Sequence, residues 1–397
     1  MRILFLTDNF PPEFNAPASR TYAHCKEWVE QGADVTVITG APNFPKGKVF
    51  EGYKNKLRQE EWIDGIRVIR VWTYIAANEG FIKRIVDYNS FMISAIFAGL
   101  FIKTDLIIAT SPQFFTAIAG RWLSILKRKK WIMEVRDIWP ESIKAVGAMK
   151  SNFIIRYFEY LERRMYKTAY KIVTVTDSFK KQLIEKHNIP SSKIGVFKNG
   201  IDDSLFQPSP KNQEILKKHD LEGKFIIGYI GTHGMAHKLD FVLIAAKEIK
   251  DPNIHFLFLG SGAEKENLFN LKEKLALKNV TMLDSVPKNK VGMYISILDV
   301  GLVNLKKSTT FKSVIPSKIF ELAAMHKPIL LGVEGESKEL IESYGIGESY
   351  EPENKEEFIN KVKKLKTEKN KEYPFDTFVA DFKRNNIAKQ MLLFMSK

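Results

Sequence analysis

Short apolar stretches alternate with longer helical stretches along nearly the whole chain, and this alternation limits the fold more than any other feature. "RILFLTD" reads as a strand, and "SRTYAHCKEWVEQG" as a helix that stops at Gly32. The strands "DVTVITG" and "IRVIRVW" follow, then a helix over 84–102, then "DLIIATSP", "KWIMEVRD" and "KIVTVTD". Such a series needs crossover connections and a parallel sheet covered on both faces. Asp8, Gly40, Asp137 and Asp177 stand at the carboxyl edges of strands, where open parallel sheets bind ligands. Residues 196–212, "VFKNGIDDSLFQPSPKN", carry turn residues without periodicity and read as a linker. The pattern then restarts: "KFIIGYIGTHG", a helix over 238–249, "IHFLFLGSG", a helix over 263–277, "VTMLDSVP", a helix over 288–296, "DVGLVNL" and "KPILLG". The expectation is an α/β chain of two doubly wound, Rossmann-like domains, 1–200 and 201–375, with a cleft between them. A tail, 376–397, either crosses back to the first domain or ends the chain as a simple helix.

Composition narrows the class. Cys25 is the one cysteine, which excludes an internal disulfide and fits a reducing compartment. The opening apolar run is short and is followed by Asp8, a poor signal peptide and a good first strand. Net charge is +15, unevenly spread: the first 200 residues hold 31 Lys and Arg against 19 Asp and Glu, the rest 30 against 27. A basic half suits an anionic partner, with solubility as the plainer account. "YNSFMISAIFAGLFI", 88–102, is too short to cross about 30 Å of hydrocarbon. It reads either as a buried core helix or as a helix that dips into a membrane surface, aided by the basic stretches 127–130 and 162–167.

Candidate chemistry gathers at the strand ends. "YIGTHGMAHKLD" leaves a strand and opens a helix; Gly231 and Gly234 permit a tight turn whose amides, around Thr232 and His233, face an anion, with Lys238 adding charge. An ordinary strand-to-helix turn would read the same way. "LGSG", 259–262, repeats the arrangement, and the backbone of "LDSVP", at Ser285 and Val286, is placed to meet a flat base. In "PSKIFELAAMHKPIL", Pro316 and Ser317 suit a helix start. Lys318 in the first turn opposes the helix dipole unless an anion sits in front of it. Glu321, among Ile319, Phe320, Leu322 and Ala323, needs partners: sugar hydroxyls, or Lys318 one turn away. In "EVRDIWPES", Arg136 and Asp137 end a strand; Asp137 either orients or deprotonates a hydroxyl, or caps the next helix. "DNFPPEFNAPASR" offers Asp8, Glu13, Asn15 and Arg20 for polar recognition. No cluster has metal-ligand spacing.

These motifs in this order resemble family 4 glycosyltransferases of the GT-B architecture over nearly the whole chain, most of all the bacterial surface-polysaccharide branch that transfers sugars of the N-acetyl-L-fucosamine type. The resemblance implies a UDP-sugar donor held by the second domain and transfer with retention, with no cofactor or obligatory metal. Glu321 would hold the ribose, the loop at Gly231 and Thr232, with Lys318, would face the diphosphate, Ser285 and Val286 the base, and His233, Lys238 and Ser317 would also bind the donor. Asp137, Glu13, Asn15, Arg20 and Arg136 would face the reacting sugars and the acceptor, a polyprenyl-diphosphate-linked glycan. Catalysis would rest on Asp137, Glu321 and Lys318. The protein would work in the cytoplasm, peripheral on the anionic inner membrane face and without nucleic acid. Three positions depart from the family pattern: Ser313 stands where a first glutamate is usual, Thr232 where an arginine is, and Asn15-Ala16 where two glycines are. A hydrolysing UDP-sugar 2-epimerase and a non-enzymatic membrane scaffold are the competing readings.

Overall fold

The computed structural model describes residues 1–13, 15–44, 47–75, 81–111, 113–138 and 152–397. They form two units: Met1–Lys198 with Arg384–Lys397, and Asn199–Lys383.

The first unit holds β1 (Arg2–Leu6), β2 (Asp34–Gly40), β3 (Arg58–Ile63), β4 (Ile66–Val71), β5 (Leu106–Ser111), β6 (Lys130–Val135), β7 (Lys171–Thr174) and β8 (Ile194–Val196) in one sheet, ordered β3-β4-β2-β1-β5-β6-β7-β8. All pairs are parallel except β3 with β4. In β1, Ile3 and Phe5 face one way and Leu4 and Leu6 the other, and all four are buried, as a sheet covered on both faces requires. Leu4 and Leu6 join the core under α2 (Phe81–Leu100), α3 (Phe114–Lys127) and α4 (Asn152–Thr168), whereas Phe5 meets Trp28 of α1 (Ala16–Glu30). Sequence reading passed over β3. It is an edge strand with alternating exposure, joined to β4 by Asp64-Gly65, both at positive φ, the geometry that two-residue hairpins demand. α5 (Asp177–His187) follows β7, capped by the Thr176 hydroxyl.

The second unit holds β9 (Phe225–Ile230), β10 (Ile254–Leu259), β11 (Val280–Leu283), β12 (Val300–Asn304), β13 (Ile329–Gly332) and β14 (Gly347–Ser349), all parallel, ordered β11-β10-β9-β12-β13-β14. Its helices are α6 (Gln213–Lys218), α7 (Leu239–Glu248), α8 (Lys265–Lys274), α9 (Lys288–Ser296), α10 (Lys318–Ala324), α11 (Glu336–Tyr344), α12 (Lys355–Thr367) and α13 (Phe375–Asp381). Two apolar cores lie on opposite faces of the sheet. The strand order reverses between β9 and β12, a switch point whose carboxyl edge is the expected ligand crevice.

The tail is two helices rather than one. α13 stays with the second unit, and α14 (Arg384–Ser396) joins the first. It buries Ile387, Ala388, Met391 and Met395, and the Trp28 indole donates to the Ala388 carbonyl at 2.9 Å.

Candidate active site

At the switch point of the second unit, backbone packs directly on backbone. Gly231 leaves β9 at φ +142°, and a Cβ added at Gly260, after β10, would stand 1.8 Å from the Gly231 carbonyl oxygen. Only a residue without a side chain allows that approach. The turn is held from both sides. His233 N–H donates to the Ser261 carbonyl (2.9 Å), and the Tyr229 hydroxyl donates to the carbonyl of exposed Thr232 (2.8 Å). From β12, Asn304 donates to the His237 carbonyl (2.8 Å) and accepts from Tyr350 (2.5 Å).

Lys318 points into this turn. Its Nζ lies 3.6 Å from the centre of the Tyr229 ring, and a Cβ at Gly231 would be 3.0 Å from it. The nitrogen is sealed from water and has no hydrogen-bond acceptor among the described residues. Burial pushes its pKa down to about 7. A desolvated amine without an acceptor is costly, so the site is one that an anion completes. His233 and His237 flank Tyr229 with ring centres 6.0 and 5.7 Å away. Both are pushed down to about 4, by burial first and then by neighbouring lysines, so they stay neutral and add no competing cation at neutral pH. Ser317 precedes Lys318 in helical conformation and its side chain makes no cap, contrary to the expectation of a serine-capped start.

Glu321 does not pair with Lys318. Its Oε1 accepts from Lys288, the first residue of α9, whose ammonium also lies 4.7 Å from the centre of the Phe206 ring. The pair ties α10 to the loop carrying exposed Ser285 and partly buried Val286, and sequence reading missed it because 33 positions separate the partners. Oε2 of Glu321 has no hydrogen-bond partner among the described residues. Lys238 is also not where charge alone would place it: it adopts a left-handed backbone and pairs with Asp240 at 2.7 Å. Among the described residues, no three His, Cys, Asp or Glu are placed to hold a metal.

In the first unit most of the expected recognition residues are engaged internally. Asn15 caps α1 through Ala18 N (2.8 Å) and donates to Asn9 (2.6 Å). Glu13 is buried, with Oε1 accepting from Asn43 N and Phe44 N at 2.8 and 2.9 Å. Arg20 is buried and bonds Glu134 (3.0 Å) and the Phe197 and Lys198 carbonyls (2.9 and 3.0 Å). Arg136 and Asp137 follow β6 and are half-buried; the Asp137 carbonyl accepts from Ser111 at 3.5 Å. Trp139, Pro140, Glu141 and Ser142 of the same motif lie outside the described residues, as do Phe14, Pro45 and Lys46 of the first-domain motifs. Asp8 gains a partner that sequence reading did not supply. Gln113, on the loop after β5, donates to its carboxyl, and burial, with Asp87 and Glu13 adding, pushes its pKa up to about 8.

Residues 15–200 match the glycosyl transferase 4-like domain family, and residues 211–377 the glycosyl transferases group 1 family. WcaI of Escherichia coli K12, named for a colanic acid biosynthesis glycosyl transferase, is 25% identical over 373 residues, 90% of each chain. TuaH of Bacillus subtilis, named for teichuronic acid biosynthesis, is 27% identical over 201 residues, 50% of this chain and 49% of that one. Among solved structures, sucrose-phosphate synthase from Thermosynechococcus elongatus shares the fold with TM-score 0.79 at 14% identity, covering all of both chains. Anabaena HepE, in complex with UDP and glucose, does so with TM-score 0.73 at 17% identity and the same coverage.

Proposed function

The chain belongs to the GT-B glycosyltransferases, and from that premise we propose that it transfers a sugar from a UDP-sugar to a lipid-linked glycan in surface-polysaccharide synthesis, with retention at the anomeric carbon. The sugar is an N-acetylated amino sugar in this reading, following the resemblance to the N-acetyl-L-fucosamine branch. The observation that carries it is Lys318: a buried ammonium against a glycine turn, with no acceptor of its own among the described residues. A diphosphate supplies that acceptor; the Gly231 and His233 amides are already bonded to the Leu259 and Ser261 carbonyls, so Lys318 carries the contact. Glu321, with one oxygen on Lys288, offers the other to ribose hydroxyls. The bond from the anomeric carbon to the diphosphate oxygen breaks. The bond to the acceptor oxygen forms on the same face, and the acceptor proton passes to the leaving phosphate. Asp137 orients the acceptor hydroxyl. HepE, which shares the fold, is held with UDP and glucose, and WcaI and TuaH are named for surface polysaccharides; both facts support the reading.

The outer surface of the first unit supports an acceptor that resides in an anionic membrane. No helix among the described residues is long and apolar enough to cross one. Instead α2 is two-sided: Phe91 and Ala95 are buried in the core, while Ile93, Phe97 and, just beyond the helix, Phe101 are exposed, the last two by 64% and 80%. Trp122, Ile125 and Leu126 on α3 and Phe153, Tyr157 and Tyr160 on α4 are exposed as well, beside exposed Lys103, Arg128, Lys129, Arg156, Arg163 and Arg164. Aromatic side chains among cations suit the interface of anionic lipid.

The test is to incubate the protein with a panel of UDP-sugars, with and without lipid-linked acceptor. Transfer reads as UDP release only when acceptor is present. Release without acceptor would instead indicate the epimerase or a hydrolase, and no UDP binding at all would remove the enzyme reading.

A further inference from the structure

The first unit gathers Arg20, His24, Glu134, Arg136, Asp137 and Arg384 close together. On β6, Trp131, Met133 and Val135 face the core under α2 to α4, so Glu134 and Arg136 face the opposite side. There Glu134 meets Arg20 of α1 at 3.0 Å. Arg136 and Arg384 act electrostatically on the same small region, and the buried imidazole of His24 is held well below its ordinary range by burial and then by Arg20, Arg384 and Arg136. Arg20 and Arg136 therefore act on one deeply buried carboxylate, Glu134.

Arg136 is the member with two nitrogens left unbonded among the described residues. Its Nε and Nη1 are shut from water and have no acceptor among the described residues, although the residue as a whole is only half-buried. Both ring nitrogens of His24 are likewise buried without a hydrogen-bond partner among the described residues. Burial pushes the Arg136 guanidinium down to about 10, with Glu134 and Asp137 opposing and Arg20 and Arg384 adding. A guanidinium is a fork of donors, and its natural complement is an oxyanion with two oxygens side by side. The partial exposure at the end of β6, on the carboxyl edge of the sheet, is the route by which one reaches it.

We propose that Arg136, with Arg20, Arg384 and His24 around it, forms a second anion site, in the first unit, that takes a phosphoryl group of the acceptor. Assigning the phosphate to the acceptor rests on the transferase reading; the oxyanion site itself does not. The site is distinct from the turn at Lys318, and the two are separable by substitution.

The test titrates the full chain with inorganic pyrophosphate, with glucuronate as the carboxylate alternative, and compares R136Q, R136K and K318A by calorimetry and thermal melting. The expected result is two pyrophosphate sites in the wild type. R136Q loses one of them, by about tenfold or more in affinity, and R136K weakens it less. UDP binding to R136Q stays within about twofold, because UDP occupies the Lys318 turn. In anion-free buffer R136Q melts no lower than wild type, and the rise in melting temperature that pyrophosphate gives is reduced. Unchanged pyrophosphate stoichiometry in R136Q would overturn the site. So would a lower melting temperature with the pyrophosphate increment intact, which marks a purely structural charge. Glucuronate lost on R136Q while pyrophosphate is retained would overturn the phosphoryl assignment. Failure of UDP to bind the wild type would remove the transferase reading, yet leave the R136Q comparison decisive for the anion site.

Discussion

Two sheets with the same strand-order reversal, one parallel throughout and one with a single antiparallel edge strand, end in different chemistry. In the second unit glycines follow β9 and β10, so the backbone comes close there, and Lys318 has no acceptor among the described residues. In the first unit the strand ends and the neighbouring helix carry acids, amides and arginines, and most of these are already bonded to one another. On the proposed function, the backbone-lined turn takes a feature shared by many donors, the diphosphate. The side-chain-lined edge is proposed to take a particular acceptor, with internal bonds holding its polar groups in place. The outer surfaces differ too: the exposed aromatic side chains of α2, α3 and α4 have no counterpart of similar size in the second unit, where Leu205, Met235, Ile244, Phe269 and Met293 are the large exposed hydrophobics among the described residues.

The sharpest way to break this contrast is Glu321→Ala. It should lower turnover by about a thousandfold while circular dichroism and melting stay close to wild type; a wild-type rate would remove Glu321 from the donor site. Gly260→Ala comes next. Its methyl group has no room against the Gly231 carbonyl, so the second unit should lose about 3 kcal/mol and UDP affinity about a hundredfold. Normal UDP binding by this variant would show that the turn is not held as closely as described.

Two smaller effects belong to the first unit. Phe97→Asp combined with Phe101→Asp should reduce binding to vesicles rich in anionic lipid by about tenfold, with UDP affinity unchanged. Equal vesicle binding would mean that this surface serves something else. Asp8→Asn tests the raised carboxyl. The folded protein holds the Asp8 proton up to about pH 8, whereas the unfolded chain releases it near pH 4, so wild-type stability contributed by this group falls as pH rises between those values. Asparagine mimics the protonated acid. The variant should therefore melt like wild type near pH 4 and a few degrees higher at pH 8.5; a variant less stable at both values would refute the neutral acid.

Much of the fold was legible because it rests on local pattern. The alternation of strands and helices, the helix over 288–296 and the glycines after β9 and β10 are all written in consecutive residues. β3 was missed because an exposed edge strand lacks an apolar run, although Asp64-Gly65 marks its hairpin. The site was legible by residue type but not by partner. Lys318 and Glu321 sit one turn apart, and helical spacing alone suggests that they pair. Packing instead sends Lys318 to Tyr229 and brings Lys288 to Glu321. Arg20 reads as a polar recognition residue in its loop, yet its partner Glu134 is 114 positions away and no local rule connects them. The destination of α14 was open for the same reason: its apolar face shows that it packs, not on what.

The central claim is that the second unit grips a diphosphate through Lys318. Calorimetric titration of wild type and Lys318→Ala with UDP and with uridine, at pH 6 and pH 8.5, tests it most directly. Burial holds the free ammonium near pH 7, so it is charged at the lower value and largely neutral at the higher. The account predicts that wild-type UDP affinity falls as pH rises, that Lys318→Ala weakens UDP by about thirtyfold at pH 6, and that uridine binding changes little in either comparison. Equal losses for UDP and uridine, or UDP affinity in Lys318→Ala matching wild type at pH 6, would contradict it.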